Sequence, residues 1–138
     1  MKIKTLLTLL AAIAMSFTTA IAADDDTPLG KQMAVINKNL RQLKRGLADP
    51  TKKEANLELL KNINEAVVEA CKFEPKSIAG KPNKAELMTK YKEQMDALGK
   101  TFFALETAIK NDKADEAKAI FEKLSEQKEQ GHKDFEVD

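Results

Sequence analysis

Residues 88–109 read MTKYKEQMDALGKTFFALETAI, and their apolar side chains recur at alternating intervals of three and four residues. Such spacing places every apolar residue on one face of an α-helix, the face that packs against neighbouring helices. The stretch therefore predicts a long amphipathic helix that opens after Asn83 and ends before a short turn at Asn111 and Asp112. The predicted stripe consists of Met88, Tyr91, Met95, Leu98, Phe102, Leu105 and Ile109.

Three further segments carry the same kind of stripe. The first segment starts at Thr27 and Pro28, a cap followed by proline, and stops at Gly46. The second starts at Asp49 and runs to about Lys72. The last segment follows the turn after the third helix. The stripes are Leu29, Met33, Ile36, Leu40, Leu43 and Leu47 in the first, Leu60, Ile63, Val67 and Ala70 in the second, and Ala117, Phe121 and Leu124 in the last.

The connections between the segments decide the fold class. Two of them are short turns, and the third is a moderate loop that contains Pro75, Gly80 and Pro82. No stretch alternates apolar and polar residues at period two, so we expect no strand. Four amphipathic helices joined in this way predict an all-α fold, an antiparallel up-down-up-down four-helix bundle.

The N-terminus has the pattern of an export signal. A basic head at Met1–Lys4 precedes an apolar run from Leu6 to Ala14, and Ala20–Ala22 fits a small-residue cleavage site. The run is too short to cross ~30 Å of hydrocarbon comfortably. We therefore predict a cleaved signal peptide at residues 1–22, a periplasmic location, no membrane insertion after cleavage, and one domain at residues 23–138.

Charge and cysteine content narrow the function. The full chain has 23 basic and 22 acidic residues, and loss of Lys2 and Lys4 with the signal leaves 21 basic residues. This balance argues against a nucleic-acid binder, which would need a basic patch. A single cysteine, Cys71, cannot form an internal disulfide, so we expect a monomer with a buried thiol and leave a Cys71-linked dimer open.

The last helix leaves its stripe incomplete. After Leu124 the inward positions pass through Lys128 and the pair Gly131 and His132 before they reach Phe135. The bundle topology brings this region level with the start of the first helix, where Met33 lies. We therefore expect a gap in the core between Met33 and His132, and a gap of that size is costly unless another group fills it.

Each of these two residues has an ordinary explanation when taken alone. A methionine in a stripe is usually core, and a histidine near a helix C-terminus is usually solvated. At the same end of one bundle, however, a thioether and an imidazole form an axial pair for haem iron. Since two protein ligands leave no open position on the metal, Met33 and His132 predict electron transfer and not catalysis.

The chain also resembles a known family. Residues 33–41, MAVINKNLR, and the pattern of Glu116, Ala117, Ala119, Glu122 and Leu124 followed by His132 and Phe135 are similar to the soluble cytochrome b562 family over essentially the whole mature chain. The resemblance implies one non-covalent haem b per chain, with Met33 and His132 as axial ligands. The absence of a Cys-x-x-Cys-His motif agrees with that. The pocket residues expected around the haem are Leu29, Met88, Tyr91 and Met95, with Lys128 as the candidate propionate partner.

Departures from the family pattern affect how tightly haem would be held. Lys128 and Glu136 stand where arginines are expected, which predicts weaker contacts to the propionates. Gly131 precedes the ligand histidine and lowers helix propensity by ~1 kcal/mol. One hypothesis is therefore that His132 becomes ordered only when haem binds.

Other functions stay open at this point. A haem-free helical bundle that acts as a binding or stress-protection protein is the main alternative, and the polar end of the last helix motivates it. Copper handling through Met33, Met88, Met95, Cys71 and His132 is a weaker one. We expect no enzyme, since the chain has one histidine and no phosphate-binding glycine loop. The expected partners are redox proteins of unidentified type.

Overall fold

The structure, a computed structural model, describes residues 26–135. Within this range it contains four α-helices and no strand, which confirms the predicted all-α bundle. The helices are α1 (Pro28–Gly46), α2 (Lys53–Ala70), α3 (Lys84–Lys110) and α4 (Ala114–Phe135), with a 3-10 turn at Pro50–Lys52 before α2. The predicted signal peptide and Glu136 lie outside the described residues.

The helix boundaries follow local chemistry. Thr27 caps α1 by accepting a hydrogen bond from the Gly30 backbone N–H at 2.9 Å, with Pro28 at the first helical position. Asp49 caps the 3-10 turn in the same way through the Thr51 N–H at 2.9 Å. At the end of α3 the chain reverses through Asp112, whose φ of 59° is the left-handed conformation that aspartate tolerates. The sequence placed the end of the second helix about two residues too late, because the chain turns at Cys71.

Helices that are neighbours in sequence pack against each other. α1 packs along α2, α2 along α3 and α3 along α4, whereas α1 and α4 have no comparable packing between their backbones. Two of the connections are short and the third is the moderate loop of residues 71–83, so the helices of each pair run antiparallel. The bundle therefore has three closely packed seams, and the fourth, between α1 and α4, is looser.

The predicted stripes form the core. Ile36, Leu43, Leu60, Ile63, Phe102 and Leu105 are buried, and each buried side chain of this size contributes about 1.5–3 kcal/mol. Met33, Met88, Leu98 and Phe121 pack against this core but stay half-buried.

A buried amide joins the end of α1 to the start of α2. Asn56, 3% exposed, donates a hydrogen bond from Nδ2 to the Gly46 carbonyl at 3.0 Å. A Cβ at Gly46 would lie 2.6 Å from Asn56 Oδ1, so any larger residue at position 46 would have to displace the buried Asn56 amide. The contact satisfies one of the carbonyls that a helix end leaves without an internal partner.

Candidate functional site

Contacts between helices show which ends lie together. The Tyr91 hydroxyl donates to the Ala70 carbonyl at 3.1 Å, which sets the start of α3 beside the end of α2. Lys90 pairs with Asp134 at 3.1 Å, which adds the end of α4. Because α1 runs antiparallel to α2, its start is level with them. We call this end of the bundle the ligand end, since Met33 and His132 both lie towards it.

Tyr91 is the central buried residue of the ligand end. Its side chain is 5% exposed, and burial, with a smaller contribution from Cys71, raises its pKa to about 12. The ring meets that of Phe135 edge to face, with centroids 5.6 Å apart and an interplanar angle of 89°. Tyr91 is therefore a neutral hydrogen-bond donor that joins α2, α3 and α4.

A polar clamp holds the last turn of α4 on α3. Asp134 accepts hydrogen bonds from Lys90 and Gln94 on α3, and from Gln130 on its own helix at 2.9 Å. The hydrogen bonds from Lys90 and then Gln94 lower the pKa of the Asp134 carboxyl. We call Asp134, Lys90 and Gln94 the α3–α4 clamp. It fixes the helical turn that also contains His132.

The last helix runs without interruption through Gly131 and His132 to Phe135. His132 is half-buried, and Lys128, one turn earlier, is exposed. A helix docked by the clamp and by Phe135 gives no support to the hypothesis that His132 is ordered only with haem. The polar end of α4 is likewise not frayed within the described residues.

The expected gap in the core is partly wrong. Phe135, 6% exposed, packs on Tyr91 and supplies apolar volume that the stripe prediction underestimated. Lys128 also points to solvent and is not an inward position. Two grooves on the described surface lie elsewhere, one of about 600 Å³ between α1 and α2 and one of about 280 Å³ between α3 and α4. Neither is lined by Met33 or His132.

Met33 and Leu29 lie on α1 and are half-buried against the core. The helix that carries Met33 and the helix that carries His132 are the pair without close backbone packing. Met88 is half-buried and Met95 is buried, both on α3. The two candidate ligands thus lie on α1 and α4, the pair of helices without close backbone packing, and Tyr91 and Met95 are part of the buried core.

Cys71 also belongs to the ligand end. It follows α2 directly, is half-buried, and contributes to the raised pKa of Tyr91. Burial, followed by the negative charge of Asp96, raises the pKa of the thiol. A thiol with a raised pKa is a poor nucleophile and a poor metal ligand at neutral pH, since the thiolate is the reactive form.

Met33 and His132 have side chains of the types that ligate haem iron. A thioether on one helix and an imidazole on the other match the known Met/His axial set. The described residues contain no group of three His, Cys, Asp or Glu side chains that could hold a metal ion by themselves. Within residues 26–135 no helix is both long and apolar enough to cross a membrane.

Sequence reasoning missed two sets of polar residues. The α3–α4 clamp pairs residues about forty positions apart, so no local spacing signals it. Asn39 and Asn56 are buried amides whose partners are backbone carbonyls, those of Val35 and Gly46. Their only sequence signal is an asparagine at an inward helical position, which the stripe analysis did not weigh.

Comparison with known proteins gives one match. The family described as Cytochrome b562 matches residues 28–136. Neither a curated protein nor a solved structure matches the chain.

Proposed function

Because the chain belongs to the cytochrome b562 family, a periplasmic family of haem b-binding electron carriers that are not enzymes, we propose that it binds one non-covalent haem b and transfers single electrons in the periplasm. Met33 and His132 are the proposed axial ligands. The observation that carries the proposal is their position on α1 and α4, two helices that pack less closely than the pairs adjacent in sequence.

The surrounding residues determine the ligation and the solvent access of a bound haem. The haem itself supplies the ferric–ferrous couple. Two protein ligands would fill the axial positions, so oxygen or a substrate has no place to bind the metal. Tyr91, Met95 and Phe135 are buried in the core and would exclude water from a haem bound at the ligand end.

Two other side chains at the ligand end that could compete for the iron keep their protons. Tyr91 keeps its proton because its pKa is about 12, and its hydroxyl is engaged with Ala70. Cys71 keeps its proton because burial raises its pKa. Both effects favour Met33 and His132 as the ligands. Lys128, exposed one turn before His132, is the proposed partner of a haem propionate.

Absorption spectroscopy of the purified chain after addition of haemin tests the proposal. We expect sharp Soret and α bands of low-spin haem. Met33→Ala and His132→Ala should each convert the haem to a high-spin or mixed-spin form. Met88→Ala is the matched control, because Met88 is another half-buried methionine. It is expected in the pocket wall and not at the iron, so its loss can weaken haem binding but should leave the haem low-spin. An unchanged spectrum in both ligand variants would place the ligands elsewhere.

The proposed periplasmic location rests on the N-terminal pattern and on the family. Cell fractionation should recover the protein in the periplasmic fraction, and N-terminal sequencing should begin at Ala23. A mature chain that still begins at Met1 would contradict export by a cleaved signal.

A haem-free binding or stress-protection role is the alternative. One observation favours it: Phe135 and Tyr91 already close the core at the ligand end. The addition of haemin described above distinguishes the two functions. A bundle that melts cooperatively and shows no spectral response to haemin would support the alternative.

A further inference from the structure

Helix α1 carries basic residues and no acidic ones. Its charged residues are Lys31, Lys38, Arg41, Lys44 and Arg45. The other three helices each mix both signs, and α2 and α4 have more acidic than basic residues. The near-neutral total of the chain therefore conceals a basic helix, and the surface is less evenly mixed than the sequence totals suggest.

Four of these cations share one outward face. At 100° per residue, Lys31, Lys38, Arg41 and Arg45 fall within roughly 80° of each other, on the side of α1 opposite Ile36 and Leu43. All four side chains are exposed. With a rise of 1.5 Å per residue they span about 21 Å along the helix. We call these four residues the α1 basic face.

Among the described residues, no ion pair neutralises this face. Within residues 26–135 none of the four has an ion pair, whereas Lys72 pairs with Glu69 and Lys84 with Glu74. The loop that follows α2 is also rich in lysine, but these two pairs reduce its free charge. Like charges three or four residues apart on a helix destabilise it by a few tenths of a kcal/mol per pair. The α1 basic face thus costs stability, which a binding role would explain.

We propose that the α1 basic face docks an acidic surface of the protein that exchanges electrons with this chain. The proposal rests on the proposed function, because Met33 lies on the same helix. An α-helix with its side chains is about 10 Å across. A partner bound to the α1 basic face would therefore lie about 10 Å from the side of α1 that carries Met33. Electron-transfer contacts are small, and complementary charge steers their formation.

The composition of the face favours a protein over a lipid surface. Helices that lie on membranes combine cations with exposed bulky apolar residues, which insert below the headgroups. On α1 the apolar face is turned into the core, and the only exposed large hydrophobic residue of the helix is Val35 at 39%. The face offers charge without an apolar anchor.

Charge reversal with a matched control tests the surface. The face variant carries Lys38→Glu, Arg41→Glu and Arg45→Glu. The control carries Lys61→Glu, Lys92→Glu and Lys118→Glu, exposed lysines on the other helices, and has the same net charge. The first probe is a poly-L-glutamate peptide, titrated by NMR against haem-free protein at low salt. We expect the largest shifts on α1, binding weakened about tenfold in the face variant, and much less weakening in the control.

Several outcomes would overturn the docking surface. Equal losses in the two variants would mean that only net charge matters, and the largest shifts at residues 72–92 would move the surface to the loop and α3. Tighter binding of the same face to phosphatidylglycerol vesicles than to the peptide would assign it to a membrane. This titration needs no haem. A negative result would therefore count against the docking surface alone, whereas missing low-spin bands would count against haem binding.

The electron-transfer part is tested with haem-loaded protein. Ferrous protein is oxidised by hexacyanoferrate(III), which takes one electron and becomes hexacyanoferrate(II), while the haem iron becomes ferric. We expect the rate constant to fall more in the face variant than in the control, and tris(phenanthroline)cobalt(III), a cation, to show the opposite order. Identical rates for the two variants with both reagents would mean that the charge of the α1 basic face does not affect electron transfer at the haem. That result would overturn the proposal.

Discussion

Tyr91 is the only tyrosine of the chain, and its environment couples stability to pH. The neutral hydroxyl donates to the Ala70 carbonyl, and burial raises its pKa from an ordinary value near 10 to about 12. A group whose pKa is higher in the folded state contributes stability that is fully present below the unfolded value. That contribution is lost as pH rises through the folded value.

We therefore predict that the free energy of unfolding falls between pH 10 and pH 12 because of Tyr91. Lysines titrate in the same range, so the informative quantity is the difference between wild type and Tyr91→Phe in urea unfolding at each pH. Absorbance at 295 nm follows ionisation of the single tyrosine directly. Ionisation near pH 10 in the folded protein would contradict the buried, hydrogen-bonded hydroxyl.

Gly131 precedes the proposed ligand His132 without any steric need for glycine. A Cβ there would lie 3.5 Å from Gln94 Oε1, an ordinary contact, and a Cβ at Gly99 would meet nothing within 4 Å. Both glycines are helical, so Gly131→Ala and Gly99→Ala should each raise the free energy of unfolding by about 0.5–1 kcal/mol.

Only Gly131→Ala should also slow haem release, because only it stiffens the turn that carries His132. Transfer of haem to excess apomyoglobin measures the release rate. Equal release rates for the two variants would mean that helix stiffness at Gly131 does not limit haem retention.

At the scale of the elements, the α3–α4 clamp decides how firmly the last turn of α4 is held. Asp134→Ala removes the acceptor that joins Lys90 and Gln94, so we predict at least about tenfold faster amide hydrogen exchange in residues 130–135. Glu129→Ala is the control. It removes an exposed i,i+4 pair with Lys133 at 2.9 Å, which solvent screens and which contributes little to stability. Similar exchange in both variants would show that Phe135 alone docks the helix.

Sequence patterns predicted the elements better than the contacts between them. The caps at Thr27 and Asp49 and the three-four stripes gave the helices and most of the core, because these signals are local. The clamp at Asp134 depends on how α4 is rotated and shifted against α3, which no local signal contains. The same lack of register information led to the overestimated gap, since Phe135 fills space that the stripe left open. The ligand assignment of Met33 and His132 stays a prediction.

At the scale of the whole molecule, haem binding should stabilise the bundle. A ligand at 1,000 times its dissociation constant adds about 4 kcal/mol. For a domain slightly longer than 100 residues, 1 kcal/mol shifts Tm by roughly 4 °C. We therefore predict a Tm increase of about 15 °C with saturating haemin, measured by circular dichroism at 222 nm. The increase should shrink in Met33→Ala and His132→Ala, and an equal increase in all three proteins would indicate binding away from these residues.

The packing of each helix on its neighbour in sequence has a further consequence, for folding kinetics. Because α1 packs on α2, α2 on α3 and α3 on α4, the principal contacts close only short lengths of chain. Folding rates of small proteins rise as contact order falls, and helical bundles lie at the fast end of that range. The seam between α1 and α4, which would join the two ends of the domain, is the contact with the largest loop-closure entropy, and it is the one that the protein leaves loose. The chain can therefore reach its native topology on the fast timescale of local helix pairing, before the two ends of the domain must meet.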